Sequence, residues 1–185
     1  MKSRCVVNQF DNYFNLFSLP VELPIDKNTL NRHYQQLQRQ YHPDNFATEN
    51  ETKRLAMLQY SAEINQGYQI LKDPIRSAEY FLSLQGVASD AEQTIIHHHD
   101  FLMQQFLLRE QLEQIEMLTD NVVQQQALSD FSQTIDQLWQ QNQQQLLSSI
   151  QQSDWSVATA QINQLRYLHK LQQDIESLED KLFDL

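Results

Sequence analysis

Two short runs in this 185-residue chain hold side chains that could do chemistry. The first is His42-Pro43-Asp44, inside Gln40-Tyr41-His42-Pro43-Asp44-Asn45-Phe46. An imidazole and a carboxylate two residues apart are the pieces of an acid–base pair, or two donors for a metal ion. The second is His97-His98-His99-Asp100, which invites a metal. Acid–base catalysis needs a pocket and a third group to orient the pair. A three-residue corner offers neither. Consecutive helical residues point about 100° apart, so the histidine run does not converge on one ion as an i, i+4 pair does. It reads instead as a linker entering a helix capped by Asp100. With no nucleophile or phosphate-binding loop recognisable elsewhere, an enzyme is not expected, nor any metal or other cofactor. A metal-dependent hydrolase built on His42, Asp44 and His97 to His99 is the competing class, which metal content after purification would separate.

The alternative use of His42 and Asp44 is display. Pro43 cannot continue a helix, lacking an N–H and clashing with the preceding turn. His42, as the residue before proline, is biased away from α geometry. A helix arriving through Tyr41 therefore stops, and a polar triplet stands at a stiff corner between two helical stretches. The arriving helix is capped by Asp26 and carries Leu30, Tyr34, Leu37 and Tyr41 at i, i+4, i+7 and i+11, one apolar stripe. Lys27, Arg32 and Arg39 lie off that stripe, among Gln35, Gln36, Gln38 and Gln40. The departing helix spans about Glu51 to Leu71, with Met57, Ile64, Tyr68 and Leu71 in register and Leu55 and Leu58 alongside. Gly67 within it costs roughly 1 kcal/mol relative to alanine and could permit close approach of another helix. Before the hairpin, Phe14, Leu16, Phe17 and Leu19 form a short apolar helix ended by Pro20. After it, Asp73-Pro74 opens a helix carrying Ile75, Ala78, Phe81 and Leu82 and closing at Gly86.

These residues carry a resemblance. Tyr41-His42-Pro43-Asp44 resembles the signature of J-domain co-chaperones. Ile64-Asn65-Gln66-Gly67-Tyr68-Gln69-Ile70-Leu71-Lys72-Asp73-Pro74 resembles the end of the J-domain's third helix, with glycine where alanine is more usual. Asn12-Tyr13-Phe14-Asn15-Leu16-Phe17 resembles its opening element. Beyond it, Phe101-Leu102-Met103 and Leu165-Arg166-Tyr167-Leu168-His169-Lys170-Leu171 resemble the HscB family of iron–sulfur assembly co-chaperones, without the cysteine zinc extension. The resemblance implies a surface for a DnaK/HscA-class chaperone formed by His42, Pro43, Asp44, Arg32, Arg39 and Tyr41.

Composition agrees with long helices: two glycines and four prolines leave little for turn-rich β structure. A net charge of −11 argues against nucleic acid as partner. Cys5, the single cysteine, excludes a disulfide framework within the chain and fits a reducing cytoplasm. No apolar run reaches membrane-spanning length. The basic start, Met1 to Val7, has too short an apolar stretch for a signal peptide and reads as a minor extension. The expected architecture is all-α: extension 1–11, J-domain helical hairpin 12–86, linker 87–99, and a client-binding three-helix bundle 100–185.

The bundle helices are expected over about 100–118, 121–151 and 154–183. Caps come from Thr119-Asp120-Asn121 and Ser153-Asp154. Leu128, Phe131, Ile135 and Leu138 form one inward stripe, and Leu168, Leu171, Ile175, Leu178 and Leu182 another. The first bundle helix differs. Phe101, Leu108, Leu112 and Ile115 define its core stripe, yet Met103, Phe106 and Leu107 mark the opposite side, continued by Glu110 and Gln114. A surface helix needs only one apolar stripe. The second is either a seam with the J-domain or a binding face. The resemblance favours binding: Leu102, Met103, Phe106 and Glu110, joined by Tyr167, match the family's face for the IscU-type iron–sulfur scaffold protein, and Leu107 and Gln114 lie on the same expected face. Leu107 and Gln114 stand where acidic residues are expected. The function expected is thus stimulation of a chaperone's ATPase with delivery of that scaffold. A J-protein with another client, or a helical scaffold without chaperone activity, are the alternatives.

Overall fold

The computed structural model describes residues 11–87 and 98–183. The extension and most of the linker lie outside them, including His97. Every described regular element is helical. The chain divides into two compact units, Met1–Gly86 and Val87–Leu185.

The first unit holds α1 (Tyr13–Leu16), α2 (Lys27–Gln40), a 3₁₀ turn (Pro43–Phe46), α3 (Glu51–Lys72) and α4 (Pro74–Leu84). Helix α1 is capped by the Asn12 side chain, which accepts the Asn15 N–H. It ends well before Pro20, contrary to the sequence expectation. Ser18 takes a positive φ of 51° and turns the chain away. Phe14, Leu16, Phe17 and Leu19 are all buried. Helix α2 starts at its Asp26 cap, which accepts from Asn28 N–H and the Thr29 hydroxyl. Those hydrogen bonds hold the Asp26 carboxyl below the usual range. Asp73 caps α4, accepting from the amides of Ile75 and Arg76. Gly86, at φ 76°, follows the α4 C-terminus as the sequence suggests.

Helix α3 pairs with α2, α4, α1 and the 3₁₀ turn. Its buried residues are Ile64, Gly67 and Leu71. Leu55 and Leu58, placed alongside the core stripe from sequence, are exposed. The reason is length. Helix α3 has 22 residues against 14 in α2. The first turns of α3 run past the end of α2, on the side where the short 3₁₀ turn packs against α3. The α2–α3 seam is sealed mainly by aromatic and amide side chains. The Tyr34 and Tyr68 rings stack at 3.8 Å. Tyr34 donates to Asn65, and Tyr68 to Asn31.

The second unit is a bundle of α5 (His98–Glu116), α6 (Asn121–Gln151) and α7 (Trp155–Phe183). Helix α5 begins two residues before Asp100, so Asp100 lies inside the first turn and not at the position before the helix. Asp120 caps α6 through the amides of Val122 and Val123. Asp154 caps α7 through Val157. One apolar cluster fills the interior: Leu108, Leu112 and Ile115 from α5, Leu128, Phe131 and Ile135 from α6, and Leu168, Leu171, Ile175 and Leu178 from α7. Leu138, Tyr167 and Leu182 pack at its margin. Burial of this many aliphatic side chains, each contributing about 1.5–3 kcal/mol, is the main source of the bundle's stability.

Candidate functional site

The corner is built by hydrogen bonds that α2 cannot make for itself. Tyr41 closes α2, its N–H reaching the Leu37 carbonyl at 2.9 Å. Asn45 then reaches back, its side-chain NH₂ donating to the Arg39 carbonyl at 2.8 Å. This supplies a donor to a C-terminal carbonyl that has no intrahelical partner. His42 is extended, at φ −61° and ψ 133°, as a residue before proline should be. Its Nδ1 accepts the Asp44 N–H at 3.3 Å. In that arrangement a neutral ring carries its proton on Nε2, the remaining donor. The Asp44 carboxylate lies 3.5 Å from the same Nδ1. The side chains of His42 and Asp44 are 58% and 88% exposed. Both side chains are open to solvent.

Tyr41 is half-buried, its ring edge-on to Tyr60 of α3 at 4.6 Å. Burial, with smaller effects from Tyr41 and Glu63, pushes the Tyr60 hydroxyl up to about 12. This pair anchors the corner to α3. Arg32 and Arg39, seven residues apart, share the exposed face of α2 with Gln35 and Gln36. The structure thus brings Tyr41, His42, Pro43 and Asp44 together at one end, with Arg39 in the adjoining last turn and Arg32 two turns further back.

The outward side of α5 is the second candidate. Leu102, Met103, Phe106 and Leu107 are exposed, Phe106 to 64%. Glu110 and Gln114 continue the same side and are hydrogen-bonded to each other. The helix is held from behind. Tyr167 donates its hydroxyl to the Gln105 carbonyl at 2.7 Å. Its ring meets Phe101 edge-on. Burial raises the Tyr167 hydroxyl above its ordinary value. Arg109 bridges to Asp174 of α7 at 2.7 Å. Gln124 of α6 donates to the carbonyls of Ile115 and Glu116, closing the C-terminus of α5. Tyr167 therefore fixes the backbone that carries the outward residues. The roles of Arg109 and Gln124 were not visible in the sequence, because nothing in a helical period marks a side chain that pairs across helices.

Beside this face lies an open groove of about 590 Å³ between α5 and α7, with Met103 and Leu107 on one wall and Val157, Ala160 and Gln161 on the other. Among the described residues no group of acidic, histidine or cysteine side chains could hold a metal ion. No described helix is long and apolar enough to cross a membrane.

Comparison with known proteins gives the family of the chain. The chain is 39% identical over 173 residues to the co-chaperone protein HscB of Proteus mirabilis, covering 94% of this chain and 98% of that one. It is 42% identical over 171 residues to an HscB homologue of Vibrio cholerae, covering 92% and 98%. The chain belongs to the HscB co-chaperone family. Residues 97–176 match the family model described as the HSCB C-terminal oligomerisation domain. The solved chaperone HscB from Vibrio cholerae superposes with a TM-score of 0.82 at 40% identity, covering 92% of this chain and 99% of that one. Human co-chaperone protein HscB has the same fold, with a TM-score of 0.83 at 22% identity, covering 93% and 84%. The curated relatives that the chain matches are named co-chaperones.

Proposed function

We propose that this co-chaperone stimulates ATP hydrolysis by a DnaK/HscA-class chaperone and delivers an IscU-type iron–sulfur scaffold protein to it. The observation that carries the reading is the outward face of α5. Its opposite stripe already fills the bundle core, yet Leu102, Met103, Phe106 and Leu107 remain exposed side by side. Exposed apolar patches of this kind mark interaction surfaces. Glu110 and Gln114 at the end of the patch supply polar partners at its rim. The chaperone is met by the other unit, through His42, Pro43 and Asp44 with Tyr41, Arg32 and Arg39. The mechanism is allosteric. The corner binds one conformation of the chaperone better than another and shifts its population toward the hydrolysing state. The reading requires no cofactor.

Single-turnover ATPase assays with purified chaperone, with and without scaffold, test both halves. The intact protein should accelerate hydrolysis, and scaffold should add to that acceleration. His42→Gln should abolish both effects. Phe106→Ser should retain the basal stimulation and lose the scaffold's contribution. An intact protein without any stimulation removes the proposal.

A further inference from the structure

The α2–α3 hairpin buries side chains at one end only. Leu30 is 0% and Ile64 1% exposed, and between them in sequence no side chain is buried. The other buried residues of α3, Gly67 and Leu71, lie still further along the helix from the corner. Two aromatic pairs join α2 to α3 instead. The inner one is Tyr34 on Tyr68, reinforced by hydrogen bonds from Tyr34 and Gln38 to Asn65 and from Tyr68 to Asn31. The outer one is the edge contact of Tyr41 with Tyr60. Beyond the inner pair, side-chain hydrogen bonds join residues of one and the same stretch. Asn45 donates to the Arg39 and Gln40 carbonyls, Lys53 donates to Glu49, and Asn50 accepts the Lys53 N–H. Phe46 and Met57 of that stretch are half-buried, while Leu55 and Leu58 are exposed.

We propose that the stretch from Arg39 to Leu58, which carries His42, Pro43 and Asp44, opens and closes as one local unit while Leu30, Ile64 and Leu71 stay packed, and that Tyr60 is the latch that holds it closed. The free energy of a local opening is set by the apolar surface and the cross-contacts that it breaks. Opening this stretch breaks one aromatic pair and the half-buried contacts of Phe46 and Met57. Opening further inward exposes Leu30 and Ile64 as well, at a far greater loss of buried apolar surface. The bonds of Asn45 to the end of α2 make the last turn of α2 and the 3₁₀ turn move together. Pro43 fixes the shape of the corner. The Tyr41–Tyr60 contact and the packing of the 3₁₀ turn on α3 fix where the corner stands relative to Arg32, on the part of α2 that stays closed. A chaperone that meets Arg32 and the corner together binds the closed form, so its apparent affinity falls with the closed fraction. That step rests on the chaperone reading above. Tyr60 acts through Tyr41 and is thereby a positioning residue for the corner.

Native-state hydrogen exchange of the full chain in low urea tests the local unit. The Tyr41 and Arg54 amides, which donate to the Leu37 and Asn50 carbonyls, report it together with the helical amides of Leu55 to Leu58. The amides of Ile64 to Leu71 report the packed end. In the parent chain the first group should share one opening and exchange roughly tenfold or more faster than the second. Tyr60→Ala should speed the first group by about tenfold and leave the second unchanged. Tyr60→Phe, which keeps the ring, should leave both unchanged. Exchange of both groups through a single global opening overturns the proposal. So do unrelated opening rates within the first group, and equal protection in Tyr60→Ala and the parent chain. Titration of purified DnaK/HscA-class chaperone tests the positioning role. Tyr60→Ala should need several-fold more protein for half-maximal ATPase stimulation, with the maximum preserved and Tyr60→Phe behaving as the parent. A parent-like half-maximal concentration, or a lowered maximum alone, overturns that role. If the parent chain does not stimulate the chaperone, the chaperone reading falls, while hydrogen exchange still decides the local unit.

Discussion

The ring of Tyr13 occupies the space in which a β-carbon at Gly67 would sit. An ideal Cβ there would lie 2.7 Å from Tyr13 Cδ1 and 3.1 Å from Phe17 Cε2. Helix α1 can therefore settle directly on the backbone of α3. The Tyr13 ring is in turn tilted against Tyr80 of α4 at 5.0 Å, and the Tyr80 hydroxyl accepts the Tyr13 N–H. Gly67 is thus the point where three helices of the first unit meet.

Substitutions at Gly67 should follow size. Gly67→Ala gains about 1 kcal/mol of helix propensity. It must also displace the half-buried Tyr13 ring, an overpacking cost of about 1–3 kcal/mol. The net change should be a loss of about 2 kcal/mol or less by urea unfolding. In a Tyr13→Ala background the same substitution should turn stabilising. Gly67→Leu has nowhere to place its side chain and should cost at least about 3 kcal/mol. A leucine variant as stable as the parent would show that α1 does not pack here.

His42→Gln and Asp44→Asn should each abolish ATPase stimulation while leaving the helical circular dichroism and melting curve unchanged. Both side chains are largely exposed, so removing them empties no cavity. Asn45→Ala differs. It removes the hydrogen bond to the Arg39 carbonyl, worth about 0.5–1.5 kcal/mol, and loosens the corner. Stimulation should fall only partly. Full activity in His42→Gln would withdraw the corner from the mechanism.

Replacing Met103 and Phe106 together by serine should weaken scaffold binding at least tenfold, since each apolar anchor lost typically costs about 1–2 kcal/mol or more. Thermal stability should hardly change, because both side chains are exposed. Basal stimulation of the chaperone should persist. A fall of several kcal/mol in stability with unchanged scaffold affinity would identify these residues as a packing seam.

Alkaline unfolding should carry a signature of Tyr60. Its hydroxyl is raised in the folded state from 10.0 to about 12 by burial, so the neutral form is favoured by folding. The corresponding stability is fully present below the unfolded value of about 10. It is lost as pH rises from there toward about 12. Tyr60→Phe keeps the ring against Tyr41 and removes the titration. Its stability should decline less over that interval, as followed by circular dichroism at fixed urea. Identical alkaline profiles would show that Tyr60 ionises freely in the folded chain.

A fragment ending at Gly86 should fold alone. Phe14, Phe17, Leu30, Ile64 and Leu71 are each at most 2% exposed, and α1, α2 and α4 all pack on α3. Proton spectra with dispersed methyl resonances would confirm it. An aggregating fragment would show that the bundle supplies part of its core.

Much of this protein is written in local chemistry. Asp26, Asp73, Asp120 and Asp154 each cap the helix that follows, because a short carboxylate reaches its own neighbours' amides in any context. Pro43 stops α2 by sterics alone, and His42 is extended for the same reason. The stripes of α6 and α7 are read directly as buried faces, because helical periodicity fixes which residues share a side. The outward residues of α5 are legible in the same way, by an apolar set left over once the core stripe is assigned.

Other features depend on which residues meet across the fold, and no period announces them. Ser18, not Pro20, ends α1, because the chain must turn there to bury Phe17 and Leu19. Leu55 and Leu58 fit a helical stripe but lie exposed, since burial requires an opposing surface and α2 is too short to give one. The stacking of Tyr34 on Tyr68, the closure of α5 by Gln124, and the fit of Tyr13 over Gly67 each join residues remote in sequence. The groove beside α5 belongs to the same class. It exists because α7 passes close to α5 without filling the space between them, and only tertiary packing sets that distance.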